Sequence, residues 1–155
     1  MIQRIQTLYL FLVAGLFLAL LFFPLAAISA GDVSFSFNVF GLHSTTIPVT
    51  LAYPTWSLMA MDAIIILLSF FIIFSYKKRI LQIRLCVYNE LLMIGFCLLF
   101  GFYFWHFYKS PALPDIQIRL SFWSAFPIVA MILNYLAIRN IGADETMVRS
   151  LERLR

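Results

Sequence analysis

Two carboxylic acids, Asp62 and Glu90, lie inside long apolar runs of this 155-residue chain. An acid in membrane hydrocarbon costs roughly 2.5–3.5 kcal/mol to insert, so we expect both to face other helices and to have partners. At 1.5 Å per residue, Asp62 lies roughly 10 Å from one end of its run and Glu90 roughly 8 Å from the opposite end of the next. In a hydrocarbon layer about 30 Å thick, the two acids would differ in height by about 12 Å. They are therefore not predicted to be a catalytic dyad, but they could be two stations of a proton or cation path.

Small and polar residues recur on one face of three apolar runs, at helical spacing. The three sets are Asp62, Ser69 and Tyr76; Cys86, Glu90, Cys97 and Gly101; and Pro127, Ala130 and Asn134. Residues of this kind let membrane helices approach each other and hydrogen-bond, which makes a structural role the stronger interpretation. The intramembrane polar candidates are Asp62, Asn89, Glu90 and Asn134. We expect Glu90 to form a packing contact near the cytoplasmic surface with Asn89, Asn134 and either Arg84 or Arg139.

Other side chains with catalytic or ligand chemistry are isolated. His43 falls in a predicted turn and His106 lies between two aromatic residues. Neither has a second ligand three or four residues away. Cys86 and Cys97 would be roughly 16 Å apart along one helix, too far for a disulfide. No nucleophile elbow, phosphate loop or dinucleotide fingerprint occurs. We expect neither metal nor cofactor, and no enzymatic activity.

The composition predicts a membrane protein with a single integral membrane domain, residues 1–155. Hydrophobic residues make up 63% of the chain and charged residues only 12%, which leaves too little polar surface to cover a soluble core. Four apolar runs each approach the roughly 20 residues that cross a bilayer. The predicted spans are residues 5–28, 55–76, 85–108 and 122–138.

The basic residues predict the orientation. Nine of the eleven lie in residues 1–6, 77–84 and 139–155, so both termini and the middle loop are predicted to be cytoplasmic. Tryptophans at the opposite ends of the spans give the same topology. Because the charges flank alternate span ends, we expect no nucleic-acid partner. The residues expected to face anionic lipid or a partner protein are Lys77, Lys78, Arg79, Arg84, Arg149, Arg153 and Arg155.

Two segments outside the spans are predicted to be structured. Apolar and polar residues alternate over Val33–Val39 and again over Ile47–Leu51, which predicts a β-hairpin in the outer loop 31–54. The Gly41–Ser44 segment is the expected turn. In the cytoplasmic tail 139–155, Gly142 is expected to end the fourth helix and Asp144 to cap a short amphipathic helix. The predicted fold is thus an all-α bundle of four transmembrane helices, with a small extracytoplasmic hairpin and a C-terminal amphipathic helix.

The chain also resembles a family of small bacterial four-span membrane proteins classified only as a domain of unknown function. The resemblance covers essentially the whole length. It is carried by Met1–Thr7 (MIQRIQT), Phe23–Leu25 (FPL), Leu81–Cys86 (LQIRLC), Asn89, Asp144–Glu145, Val148–Ser150 and Arg153–Arg155. It implies a location in the bacterial inner membrane, and no functional residue can be transferred from it.

Two functions remain open from the sequence. The first is a non-enzymatic accessory or assembly subunit of a larger membrane complex, serving a process such as envelope biogenesis or protein export. It rests on a hairpin and a tail that both need a surface to lie on. Partners would be the lipid bilayer and either another membrane protein or further copies of the chain. The alternative is a small transporter or channel subunit that uses Asp62 and Glu90. An enzyme acting on lipids is a weaker third class.

Overall fold

The computed structural model describes residues 2–30, 33–45, 51–76, 78–109 and 116–153. Within these residues the chain forms four long helices and five strands. The helices are α1 (Ile2–Leu20), α2 (Trp56–Phe74), α3 (Arg79–Tyr108) and α4 (Phe126–Arg153), with a 3₁₀ turn (Phe122–Ala125) before α4. The strands are β1 (Ala26–Ala30), β2 (Val33–Asn38), β3 (Gly41–Ser44), β4 (Leu51–Pro54) and β5 (Ile116–Leu120).

The four helices form an antiparallel bundle in which each packs against two neighbours, in the ring order α1, α2, α3, α4. Among the described residues, three helical segments are long and apolar enough to cross a membrane: Trp56–Phe74, Arg79–Tyr108 and Phe122–Asp144. They cover the runs predicted at 55–76, 85–108 and 122–138. A fourth apolar helix, Ile5–Leu20, is shorter.

The first apolar run is not one helix, so the predicted span 5–28 is wrong at its second end. α1 ends at Leu20, and the N–H groups of Phe22 and Phe23 both bond to the carbonyl of Ala19, at 3.0 and 3.2 Å. Pro24 follows and has no N–H with which to continue a helix. The chain then enters β1, which pairs with strands on both sides and buries Ala26 and Ile28. A short apolar run of this kind cannot be assigned to helix or strand from hydrophobicity alone.

A five-stranded antiparallel sheet, in the order β4-β3-β2-β1-β5, replaces the predicted hairpin. β2 coincides with the predicted first strand. Residues Gly41–Ser44 were expected to be a turn and are instead β3, which pairs with β2 after a turn at residues 39–40. The predicted second strand, 47–51, lies outside the described residues apart from its last position. β5 comes from the second long connection, so the sheet joins both.

The two ends of the bundle differ in character. The sheet covers the ends of the helices where α1 finishes and α2 begins, and we call this the sheet end. The opposite end carries Lys78, Arg79, Arg84 and Arg139, and we call it the basic end. The three tryptophans, at positions 56, 105 and 123, lie at or near the sheet end.

At the basic end, α4 continues through Gly142 to Arg153, so the predicted stop and separate amphipathic helix are wrong. A glycine inside a helix costs only about 1 kcal/mol relative to alanine, which helix-forming neighbours can offset. Asp144 does not start a helix. Its carboxylate lies 3.2 Å from a guanidinium nitrogen of Arg79 on α3, which ties α4 to the beginning of that helix.

The buried apolar residues form two clusters. The larger joins the inner face of the sheet to the sheet-end half of the bundle and is rich in aromatic rings, including Phe17, Phe37, Phe96 and Phe107. The smaller lies towards the basic end and comprises Leu10, Ile72, Cys86, Ala137 and Ile141. The residues between these clusters form the candidate site.

Candidate functional site

A group of buried polar side chains occupies the middle of the bundle. Asp62, Ser69, Asn89 and Asn134 are each 0% exposed, and Glu90 is half-buried beside them. We call these five residues the polar file. α2 contributes Asp62 and Ser69, α3 contributes Asn89 and Glu90, and α4 contributes Asn134. The spacing of seven residues between Asp62 and Ser69 keeps both on one face of α2.

Asn134 connects α4 to α3 through two hydrogen bonds. Its Nδ2 donates to Glu90 Oε2 at 2.7 Å and to the backbone carbonyl of Cys86 at 2.9 Å. The second acceptor lies one turn before the first on the same helix, so a single amide spans a full turn of α3. Two such bonds across a helix interface fix the rotation of α4 relative to α3, because apolar contacts alone do not select one rotation between two helices.

A second connection joins α3 to α2. Asn89 Nδ2 donates to Ser69 Oγ at 3.0 Å, and this hydroxyl donates in turn to the backbone carbonyl of Ile65 at 2.8 Å. The serine therefore uses its proton within its own helix and presents its oxygen to the neighbouring one. Three of the four helices are thus linked in series, α2 to α3 to α4, by side-chain hydrogen bonds near the middle of the bundle.

Asp62 is different from the other four residues. Neither of its carboxyl oxygens has a hydrogen-bond partner among the described residues, although the side chain is wholly buried. It lies two helical turns, about 10 Å, from Ser69 towards the sheet end. The separation expected between Asp62 and Glu90 is therefore present, and the two acids do not form a pair.

The polar file is closed at the sheet end. One turn from Asp62 towards the sheet end, Leu58 is fully buried. At about the level of Asp62, Phe17 and Phe96 on the neighbouring helices meet edge to face with ring centroids 5.5 Å apart. Towards the basic end the interior holds both the smaller apolar cluster and the buried amides Gln82 and Gln6, which are near the first turns of α3 and α1. Among the described residues, five buried polar side chains thus lie on the basic-end side of Asp62, and two, Ser44 and Thr55, lie on the sheet-end side.

A separate feature opens on the outside of the bundle. An apolar cleft of about 320 Å³ lies between α3 and α4, directly beneath β1 and β5. This volume is near the lower limit of roughly 300–1,000 Å³ for small-molecule pockets. The cleft is lined by Leu25, Phe96, Cys97, Phe100, Leu120, Ser124, Pro127, Ile128 and Met131.

The strand above this cleft has one edge that no described residue pairs with. Within the described residues β5 pairs only with β1, in a register that places Ala27 opposite Arg119. The N–H of Ser121 bonds to the carbonyl of Leu25 in the same register. Bonded pairs alternate along an antiparallel ladder, so the N–H and C=O groups of Ile118 and Leu120 point away from β1. Leu120 also lines the cleft, so edge and cleft form one continuous surface, which we call the β5 surface.

A family model described as a domain of unknown function, DUF4293, matches residues 2–154. The chain belongs to this family. Among curated proteins, none matches it significantly. The predicted resemblance to a family of unknown function is thereby confirmed, and DUF4293 membership transfers no catalytic or binding residue to this chain.

The basic residues predicted to face lipid or a partner have different surroundings in this DUF4293 chain. Lys78, Arg84 and Arg139 are exposed at the basic end. Glu90 is bonded to Asn134, not to Arg84 or Arg139 as expected. Arg79 pairs with Asp144. Lys77 and Arg155 lie outside the described residues. For Arg149 and Arg153, the structure describes the helical backbone of α4 only.

Sequence reasoning missed several parts of this arrangement. Gln82 lies seven residues before Asn89, on the same face of α3, and this spacing was available as a signal for a longer polar stripe. Gln6 is close to the N-terminus and was read only as part of the flanking segment. Nothing in the local sequence indicated the cleft, because its walls are apolar residues from three separate parts of the chain.

Proposed function

We propose that this chain is a four-span integral protein of the bacterial inner (cytoplasmic) membrane, with the basic end and both termini in the cytoplasm. The assignment of α1 as a span requires a separate argument, because its apolar segment is shorter than the other three. Its 19 residues rise about 28 Å, close to the hydrocarbon thickness of about 30 Å. It packs between α2 and α4, both of which contain candidate spans, so it must share their environment.

The exposed surface and the charges support the same orientation. Large apolar side chains such as Leu67, Phe71 and Leu98 are 57–71% exposed on the outside of the bundle, where hydrocarbon would cover them. Lysine and arginine gather at the basic end, as on the cytoplasmic side of membrane proteins. Trp56 and Trp105 are exposed near the sheet end, at the level of the opposite interface.

Within this membrane setting, we infer a non-enzymatic role as an accessory or assembly subunit of a larger complex. The observation that carries the inference is the β5 surface, where a strand edge that is unpaired within the described part of the chain adjoins an apolar cleft. Proteins usually protect free strand edges, because an edge is a template for pairing with another chain. The opposite edge of the sheet is protected by Pro54 and by an irregular register between β3 and β4. β5 has neither device.

The β5 surface fits a membrane protein that supplies both a strand and a helix. A strand added to β5 would satisfy the outward groups of Ile118 and Leu120. A helix descending from that strand would place apolar side chains in the cleft between α3 and α4. The polar file supports this role, because it fixes the relative rotation of these two helices and so holds the cleft open.

A pull-down tests the proposal. The tagged chain is extracted from its native membrane in mild detergent, and the proteins retained with it are identified and quantified by mass spectrometry. We expect a stoichiometric membrane-protein partner. In Leu120→Pro, which deletes one outward N–H, partner recovery should fall about tenfold, as expected for losing roughly 1.4 kcal/mol of binding.

Leu120→Ala is the matched control, since it shortens the same side chain but keeps the N–H, and it should retain more partner than Leu120→Pro. Isolation of the wild-type chain as a monomer without any partner would contradict the proposal. Recovery of copies of the same chain alone would favour the second candidate.

That second candidate is a small transporter or channel subunit that uses Asp62 and Glu90. The unpartnered carboxyl of Asp62 favours it, because an ionisable group inside a membrane bundle commonly marks an ion or proton path. The apolar closure above Asp62 weighs against a path through one chain. Its test is a flux assay in vesicles, in which Asp62→Asn or Glu90→Gln should abolish transport without unfolding the protein.

A further inference from the structure

The proposed accessory role does not explain the buried carboxyl group of Asp62. A carboxylate buried without a hydrogen-bond donor or a counter-charge is far more costly than a neutral carboxylic acid. Asp62 is 0% exposed and its two oxygens have no partner among the described residues. The salt bridge in the described structure, between Arg79 and Asp144, is at the basic end, remote from Asp62. The side chain therefore holds a proton in the resting bundle.

Two amides on the basic-end side of Asp62 also have oxygens without a hydrogen-bond partner. Oδ1 of Asn89 and Oδ1 of Asn134 are buried and have no hydrogen-bond partner among the described residues. The Nδ2 groups of both amides are already donating. Every unsatisfied atom in the polar file is thus an oxygen that accepts hydrogen bonds. A small molecule that donates two protons, such as water, matches this requirement, and buried water typically serves such groups.

The buried polar side chains lie mainly on one side of Asp62. Buried polar side chains continue from Asp62 past Ser69 and Asn89 to Gln82 and Gln6 at the basic end. In the other direction, the larger apolar cluster, which includes Leu20, Leu58 and Phe37, lies between Asp62 and the sheet, and the buried hydroxyl of Thr55 there is bonded to the backbone carbonyl of Val39. We therefore expect protons to exchange with water through the half of the bundle that holds the unpartnered amide oxygens, past the smaller apolar cluster.

We propose that Asp62 is a proton-binding site at the closed end of a hydrated path that enters the bundle from the basic end. The path follows the free acceptor oxygens of Asn134 and Asn89. The ligand is a proton, delivered by water, and the closed sheet end prevents its passage through a single chain. The proposal is independent of the β5 surface and stands or falls separately from the accessory role.

Infrared spectroscopy of the protein in lipid bilayers tests this directly, with D₂O as the probe. A protonated carboxyl gives its own C=O band, which shifts when its proton is exchanged for deuterium. We expect such a band in the wild type, its loss in Asp62→Asn, and a shift on transfer to D₂O well before the backbone amides of α2 exchange. A band that exchanges no faster than those amides would overturn the proposal, and this comparison needs no variant.

Two variants then locate the path. Asn89→Leu puts an apolar side chain of similar size into the file and should slow the exchange of the Asp62 band by about tenfold or more, the rate effect of an added barrier of about 1.4 kcal/mol. Asn134→Leu should act in the same direction, and the backbone amide bands show whether each variant is folded. Ser124→Ala, in the cleft at the sheet end, should leave the rate unchanged.

Three further results would overturn the proposal. One is a band that survives in Asp62→Asn, and another is its absence from the wild type, as for a carboxylate paired with a metal cation. The third is exchange that is slowed by Ser124→Ala but not by Asn89→Leu in folded protein, since it would place the entry at the sheet end.

Discussion

The two halves of the bundle combine apolar packing and side-chain hydrogen bonds in different proportions. The sheet-end half buries aromatic rings, such as Phe37 against Phe100 and Phe107, beneath a strand layer. The half towards the basic end is linked by side-chain hydrogen bonds from Asn134 and Asn89. In the proposed membrane orientation, this difference matches the surroundings of the two halves. Burial away from water drives packing only where water is the alternative, whereas helices within lipid gain little from it and depend on close packing and hydrogen bonds.

The largest effect expected from this comparison concerns Phe37. Its side chain is 1% exposed, and its ring centroid lies 5.7 Å from that of Phe100 and 5.6 Å from that of Phe107. Phe37→Ala should lower the free energy of unfolding by about 3–5 kcal/mol, the usual cost of removing a buried ring. Denaturant titration in detergent micelles measures this change. Phe40→Ala, whose ring is 43% exposed, is the control and should cost much less. Equal losses would show that the sheet is not part of the core.

A smaller effect is expected for the contact between Asn134 and Glu90. A double-mutant cycle with Asn134→Ala and Glu90→Ala, read by the same unfolding titration, should give a coupling energy of about 0.6–1.7 kcal/mol, the range for hydrogen bonds between membrane helices. A cycle between Asn134→Ala and Ser57→Ala serves as the control, because Ser57 bonds to Tyr103 near the sheet end. Coupling in the second cycle but not in the first would contradict the assignment of hydrogen bonds to the basic half.

The smallest effect concerns the ion pair between Arg79 and Asp144. Both side chains are partly exposed, at 28% and 17%, so the pair is partly screened by solvent. Asp144→Asn should change the unfolding free energy by about 0–1 kcal/mol, and added salt should reduce the difference. Melting curves of both proteins at low and high salt measure it. A larger, salt-independent loss would show that this pair belongs to the packed interior.

The sequence was sufficient to predict the three long apolar helices α2, α3 and α4 over most of their length, because long apolar runs bounded by charges have few alternatives. It also indicated that Glu90 and Asn134 lie at similar depth, since helical rise converts residue number into height. That contact is now seen at 2.7 Å. The sequence indicated that burying Asp62 is costly. Whether Asp62 has a partner could not be predicted, because this depends on side chains from other helices.

The strands were harder to predict, for identifiable reasons. Ala26–Ala30 is mostly apolar and follows soon after a helix. Nothing in its own sequence therefore indicates that it pairs with two other strands. β5 does alternate, with Ile116, Ile118 and Leu120 on one face and Gln117 and Arg119 on the other, but the prolines before it favoured a turn. Gly142 was taken as a helix stop because the contact of Asp144 with Arg79, far away in sequence, cannot be read from the tail alone.

Site-specific photo-cross-linking in the native membrane tests the central claim most directly. A photoreactive residue replaces Ile128, an exposed side chain that lines the cleft, or Leu67, which is 69% exposed on α2. We expect the probe at Ile128 to yield one discrete cross-linked partner protein and the probe at Leu67 to yield lipid adducts only. Lipid adducts alone at both positions, or the same partner at both, would contradict a docking role for the β5 surface.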